Sequence, residues 1–289
     1  MNIRRRTILA GIGALGLAGP AQAGAKINIV AAENMYGDVA GQIGGGLVNV
    51  SSILNNPNED PHLFSASPSV ARNLAGADIV IVNGADYDPW MGGLLSATNA
   101  PGRVVITIAD LLGRKPGDNP HLWYDPMAIP DLTGQLVAAL CAKDPANAAV
   151  YKRNGVKLLA SLAPIHARMA AMREEYAGIK VTATEPVFGL MAQAIGLDML
   201  NLRFQIAVMN GTEPSPQDVG AFEDDLRNKT VRALFYNAQV TDDLTTTLLN
   251  IAQQSGVPVV GVTETEPAGL DYQQWMTHGL DGVDKALSP

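Results

Sequence analysis

Two of the four histidines in the 289-residue sequence follow a proline in similar surroundings. His62 ends an Asp-Pro-His tripeptide, and His121 ends an Asn-Pro-His tripeptide. A preceding proline restricts the backbone, which would help to hold an imidazole in place. The two units fit a pair of metal ligands, and they fit two ordinary surface histidines equally well. His166 and His278 fall within predicted helices, and we do not expect them to bind a metal.

Acidic residues follow two predicted strands in the second half of the chain. Glu185 directly follows the apolar run Ile179–Thr184 and precedes a proline, so it fits a helix cap as well as a ligand. Glu264 follows the run Val257–Val262, and Glu266 stands two residues later. Each glutamate taken alone is typical of a cap or of a solvated side chain.

Short apolar runs rich in Val, Ile and Ala recur along the chain, with helix-like segments between them. Continuous runs of this kind predict strands that helices bury on both faces. Four runs in each half predict an α/β fold of two similar lobes, each with a mostly parallel four-stranded sheet. Ligands bind outside the carboxyl ends of such strands, which predicts a site in the cleft between the lobes. The predicted strands are Ile27–Ala31, Leu47–Ile53, Asp78–Val82, Arg103–Ile108, Ile179–Thr184, Asp198–Leu202, Val231–Tyr236 and Val257–Val262.

The segment Pro145–Tyr176 between the two halves is rich in Ala, Leu, Met and charged residues. Its apolar side chains recur at intervals near three and four residues, which predicts one face of a long connecting helix. Pro164 predicts a kink, and two shorter helices that meet at this proline are the alternative. The residues assigned to this face are Leu158, Leu159, Leu162, Ile165, Met169 and Met172.

The N-terminus has the pattern of an export signal. Three arginines precede an apolar run rich in Gly and Ala, and an Ala-Gln-Ala tripeptide supplies small residues for cleavage. The adjacent arginines resemble a twin-arginine signal. We therefore expect a periplasmic protein with an export signal in residues 1–23, a first lobe in 24–144, a connecting helix in 145–177 and a second lobe in 178–289.

Composition excludes several classes of function. The formal net charge is −8, and loss of the arginines in the first 23 residues would leave −11. Because a chain with this net negative charge repels phosphate, we expect no nucleic-acid partner. A single cysteine, Cys141, excludes an internal disulfide and a thiolate metal cluster. With 47% hydrophobic and 17% charged residues, the chain has enough apolar side chains for a sizeable core.

The whole pattern resembles the metal-binding solute-binding proteins of zinc and manganese ABC importers. The most specific motif is Asn-Pro-His-Leu-Trp-x-Asp-Pro, which begins at Asn119. The landmarks run in order from Ile27 to Leu287 and cover essentially the whole mature chain. The other landmarks are Asp60-Pro61-His62, Ala77-Asp78-Ile79-Val80 leading to Asn83-Gly84, Asp88-Pro89-Trp90-Met91, and the stretch from Phe188 to Gly196.

The resemblance implies a ligand set drawn from both lobes. Matched by motif, the first lobe supplies His62 and His121, the third ligand is Glu185, and the fourth is Glu264 with Glu266 as the fallback. Two imidazoles and two carboxylates suit Zn²⁺ or Mn²⁺ as bound cargo and disfavour Cu(I). The histidine-rich loop of many zinc-type members is missing, which together with a glutamate as third ligand weakens a simple zinc assignment.

The resemblance also implies a function. We expect a monomeric protein, not an enzyme, that captures the metal and delivers it to the membrane permease of an ABC importer, with a metallochaperone as a possible source of the metal. The alternatives are a secreted zinc-dependent hydrolase and an adhesin-like structural protein. Against the hydrolase, the sequence has no His-Glu-x-x-His and no Gly-x-Ser-x-Gly motif.

Overall fold

The computed structural model describes residues 25–56, 61, 64–98 and 100–288. The predicted export signal in residues 1–23 and the candidate ligand His62 lie outside the described residues. Of the helices that the structure describes, none has the length and apolarity needed to cross a membrane.

The first lobe is built on a parallel sheet of four strands in the order β2-β1-β3-β4. All four residues of β3 are buried, as expected for a strand that helices cover on both faces. The strands are β1 (Ile27–Glu33), β2 (Val48–Leu54), β3 (Ile79–Val82) and β4 (Val104–Thr107), and the helices are α1 (Asn34–Gly44), α2 (Pro68–Ala75), α3 (Trp90–Ala97), α4 (Ile108–Leu111) and α5 (Ala128–Lys143).

A single helix, α6 (Ala148–Tyr176), connects the two lobes and continues through Pro164. The alternative of two shorter helices is therefore wrong. Its buried side chains recur at alternating intervals of four and three residues, which is one continuous face. Leu159 was wrongly assigned to this face, because its side chain is 41% exposed. The buried residues are Tyr151, Gly155, Leu158, Leu162, Ile165, Met169, Met172 and Tyr176.

The second lobe repeats the first, with parallel strands in the order β6-β5-β7-β8. Two such sheets joined by a long helix confirm the predicted fold class. The strand predicted at Asp198–Leu202 is much shorter, because Asn201 adopts a left-handed conformation (φ 60°) and α8 begins at the next residue. The strands are β5 (Lys180–Ala183), β6 (Asp198–Met199), β7 (Leu234–Asn237) and β8 (Val259–Val262), and the helices are α7 (Gly189–Ala194), α8 (Leu202–Met209), α9 (Pro216–Arg227), α10 (Asp243–Ser255) and α11 (Tyr272–Leu287).

One apolar core runs from the first lobe into the second. At the junction, the Tyr124 ring packs against Phe188, with centroids 5.0 Å apart, and against Trp275, with centroids 5.4 Å apart. Hydrogen bonds add to this contact: Tyr272 donates its hydroxyl to the Trp123 carbonyl oxygen at 2.7 Å. Buried aromatic contacts of this kind stabilise one arrangement of the lobes.

Candidate metal-binding site

His121 is fully buried and lies in the loop between α4 and a short 3₁₀ turn, Leu122–Tyr124. The side-chain oxygen of Asn119 is 3.0 Å from the backbone nitrogen of His121 and 2.8 Å from ring Nδ1. This contact assigns the ring proton to Nδ1, so that Nε2 carries the lone pair. The indole of Trp123 packs edge-on against the imidazole, with centroids 5.4 Å apart. The ring is therefore held in one orientation.

Glu264 meets His121 across the boundary between the lobes. It stands two residues after β8 and is fully buried. Its Oε2 lies 3.5 Å from His121 Nε2 and accepts a hydrogen bond from the Tyr87 hydroxyl at 3.1 Å. The side chain of Gln239 accepts the backbone N–H of Glu264 at 2.6 Å. Side chains of the first lobe thus contact one carboxylate of the second.

The Tyr87 hydroxyl remains a hydrogen-bond donor to this carboxylate. Burial, followed by the nearby charge of Glu264, raises the pKa of Tyr87 well above its ordinary value of 10.0. Both causes disfavour the phenolate. The group that Tyr87 presents to Glu264 is therefore a neutral phenol.

Glu185 stands two residues after β5, at the start of the 3₁₀ turn Pro186–Phe188. Its side chain makes no capping hydrogen bond to this turn, so the cap suggested by the sequence is wrong. The residue is 2% exposed, and its Oε2 accepts a hydrogen bond from Asn237 Nδ2 at 2.5 Å. The same nitrogen donates to Glu264 Oε1 at 2.7 Å. One amide therefore joins the two candidate carboxylates.

The sheet explains why Glu185 and Asn237 meet. Strands β5 and β7 are neighbours, and the chain order reverses between them. Ligands of open α/β sheets bind at this kind of reversal, beyond the carboxyl ends of the strands. The sequence analysis did not identify Asn237 as a site residue. Its place at the end of β7 was the signal that could have identified it as a site residue.

Glu266, the fallback for the fourth ligand, has a different environment. Its backbone pairs with the side chain of Asn34, which accepts from the Glu266 N–H at 2.9 Å and donates to the Glu266 carbonyl oxygen at 2.7 Å. Burial, then the charges of Asp38 and Asp271, raise the pKa of Glu266 to about 8. The two acids beside Glu266 lie on or next to α1 and α11, so its surroundings differ from those of Glu264.

Of the other three histidines, two lie on helices and one lies outside the described residues. His166 lies on α6 and is half-buried, and His278 lies on α11 and is exposed. His62 lies outside the described residues. The preceding residue, Pro61, is buried. Within the described ranges, no three His, Cys, Asp or Glu side chains gather as a metal-holding group. The described part of the candidate set is the His121–Glu264 pair, with Glu185 joined to it through Asn237.

A cavity of about 570 Å³ borders Glu185 in the second lobe. The chain between α8 and α9 and the first turn of α10 form its walls. Three further carboxylates line it, those of Glu213, Asp242 and Asp243. A cavity lined by one sign of charge concentrates ions of the opposite sign. This side of the site therefore attracts cations.

The chemistry of the site suits a divalent cation. Two carboxylates, each nearly or fully buried, lie within hydrogen-bond distance of one nitrogen. The donors described for them, the Asn237 amide and the Tyr87 phenol, are neutral. Buried carboxylates that lie close together repel each other unless a cation or a proton offsets their charge. A metal ion between these carboxylates and His121 would supply that charge.

The fold and the site together define a class of protein. Two parallel-sheet lobes joined by one long helix, with ligand-type side chains facing across the boundary, are the architecture of a two-lobed solute-binding protein. Such a protein holds its solute where the strand ends of both lobes meet.

Comparison with known proteins identifies the family. The family model described as zinc-uptake complex component A, periplasmic (ZnuA) matches residues 29–286, and the chain belongs to this family. Its members are substrate-binding proteins of ABC transporters rather than enzymes, which confirms that expectation.

Similar proteins carry names that concern metal transport. The chain is 22% identical to the metal ABC transporter substrate-binding lipoprotein SloC of Streptococcus mutans, over 91% of this chain and 90% of that protein. It is 21% identical to the manganese ABC transporter substrate-binding lipoprotein PsaA of Streptococcus anginosus, over 93% and 91%. The solved periplasmic zinc-binding protein TroA of Treponema pallidum superposes with a TM-score of 0.77 at 20% identity, over 91% of this chain and 100% of that one.

Proposed function

We propose that this protein captures a divalent transition metal, zinc or manganese, outside the cytoplasm and delivers it to the permease of an ABC importer. The proposed ligands are His62 and His121 from the first lobe and Glu185 and Glu264 from the second. The metal is cargo, because the family consists of importer components and the relatives are named for metal transport.

The observation that carries the proposal is the buried contact between His121 and Glu264. The imidazole nitrogen and the carboxylate oxygen lie 3.5 Å apart, on opposite sides of the boundary between the lobes. Asn119 orients the imidazole, as the outer hydrogen-bond partner of a metal-binding histidine does. A metal held there contacts side chains of both lobes, so a permease can sense its presence through local changes at the boundary between them.

Export and loading are parts of the same proposal. The export signal in residues 1–23 directs the chain to the periplasm by the twin-arginine route. The mature protein acts as a monomer, and a metallochaperone loads the site. The acidic cavity beside Glu185 supports delivery of a cation from that side.

Zinc calorimetry on the purified mature chain tests the proposal. We expect tight binding of one ion by the wild type and loss of that binding when His62→Ala and His121→Ala are combined. His278→Ala is the matched control, because it removes an exposed histidine on α11 and should leave the affinity unchanged. Unchanged affinity in the double variant would overturn the ligand set. Elemental analysis of protein taken from its own periplasm then identifies the metal.

A further inference from the structure

The side chain of Asn237 contacts both candidate carboxylates of the second lobe through one nitrogen. Its Nδ2 donates to Oε2 of Glu185 and to Oε1 of Glu264, at 2.5 Å and 2.7 Å. An amide NH₂ has two hydrogens, and these two bonds use both of them. One oxygen of each carboxylate therefore accepts a hydrogen bond from the amide, which competes with a metal ion for that oxygen.

Neighbouring groups fix the orientation of this amide. Asn237 is fully buried, and its side-chain oxygen accepts the backbone N–H of Gln239 at 3.1 Å. Its own backbone N–H donates to Thr184 Oγ1 at 3.1 Å. A flipped amide would place an oxygen against two carboxylates and an NH₂ against a backbone N–H. The hydrogen-bond network therefore assigns the NH₂ to the carboxylate side.

The hydrogen bonds from the Asn237 amide affect how the carboxylates can bind a metal. A carboxylate that binds through both oxygens raises the coordination number, whereas one that binds through a single oxygen keeps it low. Zinc in proteins is four-coordinate in most structural sites, with oxygen ligands at about 2.0–2.2 Å. Manganese favours octahedral sites rich in oxygen ligands. Groups that hydrogen-bond to metal ligands change metal affinity by about 10–100-fold when they are mutated.

We infer that Asn237 is a selectivity-determining residue, which holds Glu185 and Glu264 in one-oxygen coordination and so favours zinc over manganese. The inference rests on the proposed function, because it concerns the same metal site. Asn237 acts through the two carboxylates, so it is a positioning residue. Zinc exceeds manganese in affinity at most sites of this ligand type, and the amide increases that preference.

The test compares zinc and manganese binding by competition calorimetry on the whole mature chain. We expect Asn237→Ala to lower the ratio of manganese to zinc dissociation constants by about tenfold or more. We expect Asn237→Ser, whose hydroxyl can donate to only one carboxylate, to give an intermediate ratio. This variant also tests the inference if Asn237→Ala fails to fold. X-ray absorption at the zinc edge should show four nitrogen or oxygen neighbours in the wild type and more in Asn237→Ala.

Asn34→Ala is the matched control. It removes two hydrogen bonds to the same segment, at Glu266, without touching either carboxylate. Any affinity that this variant loses should be lost equally for both metals. An unchanged ratio in Asn237→Ala, with both affinities reduced together, would overturn the inference and leave the proposed function intact. A wild type that binds neither metal would overturn the proposed function itself.

Discussion

Hydrogen-bonding side chains hold each described ligand candidate in place. Asn119 contacts the Nδ1 side of the His121 ring, and Asn237 contacts one oxygen each of Glu185 and Glu264. These amides are neutral, so they orient the ligands without offsetting the charge that a metal would offset. Partners of this kind fix the orientation of metal-binding groups.

The first prediction at this scale separates the two candidate acids of the loop after β8. Glu264→Gln should lower zinc affinity by about 100-fold or more, because it removes the charge of a proposed ligand that faces His121. Glu266→Gln should change the zinc affinity by less than about threefold, since the backbone of Glu266, and not its carboxylate, contacts Asn34. Calorimetry measures both. A larger loss in Glu266→Gln would reverse the assignment.

The second prediction concerns Glu33, a fully buried acid at the end of β1. Burial, then the charge of Asp88, raises the pKa of Glu33 well above its ordinary value of 4.5. The folded chain therefore keeps this proton at pH values where the unfolded chain loses it. Because of that difference, the free energy of unfolding contributed by Glu33 falls as the pH rises above about 4.5.

Glu33→Gln removes this titration. In metal-free protein, the variant should show a shallower fall of the unfolding free energy between pH 5 and pH 8, and it should be more stable than the wild type at pH 8. Urea denaturation at several pH values measures the slope. Glu174→Gln, on the exposed face of α6, is the control and should leave it unchanged. An identical slope in Glu33→Gln and the wild type would contradict the prediction.

At the scale of elements, the strand ends bring the candidate residues together. Glu185, Asn237 and Glu264 follow or end β5, β7 and β8, which are adjacent in one sheet. The sequence predicted these strands because runs of Val, Ile and Ala are typical of sheets buried on both faces. It overextended β6, since the apolar residues Leu200 and Leu202 continue the run although the chain turns at Asn201.

The site was only partly predictable. The positions of Glu185 and Glu264 beyond strand ends follow from local patterns, but the choice of these residues as ligands came from the family resemblance and remains a prediction. The bridge made by Asn237 joins segments 52 and 27 residues away in the chain. No local pattern encodes such distances, because they depend on the register of β7 against its neighbours.

The prediction at this scale concerns the first residue of α7. A Cβ added at Gly189 would lie 2.8 Å from Asn119 Nδ2. This nitrogen donates to the Pro186 carbonyl oxygen at 2.7 Å, and the oxygen of the same amide contacts the His121 ring. Gly189→Ala should therefore displace Asn119 and lower zinc affinity by about tenfold.

Gly220→Ala is the matched control for that variant. It adds the same methyl group to a helix, α9, where nothing lies within 4 Å. It should leave zinc affinity unchanged and stabilise the fold slightly, since Ala favours helices over Gly. Equal zinc affinities in Gly189→Ala, Gly220→Ala and the wild type would show that Asn119 does not orient the ligand.

At the scale of the whole molecule, the lobes are braced against each other. Helix α6 links them over 29 residues, and the apolar core is continuous across the junction. A hinge motion that opened a wide cleft between the lobes would separate Tyr124 from Phe188 and Trp275. Capture of the metal therefore depends on local rearrangement at the site.

Small-angle X-ray scattering tests whether the two lobes keep the same relative position when the metal binds. The radii of gyration of metal-free and zinc-bound protein should differ by less than about 1 Å, because partners that are already organised move little on binding. A decrease of several ångströms on adding zinc would contradict the braced arrangement. A matched sample with chelator and zinc together controls for the effect of the ion on the buffer.

Anomalous diffraction from crystals of the zinc-loaded protein tests the central claim most directly. Data collected on either side of the zinc edge should give one strong peak between the lobes. The peak should lie within about 2.0–2.2 Å of a ligand atom from each of His62, His121, Glu185 and Glu264. A peak bound elsewhere, or one without an imidazole from the first lobe and a carboxylate from the second, would contradict the account.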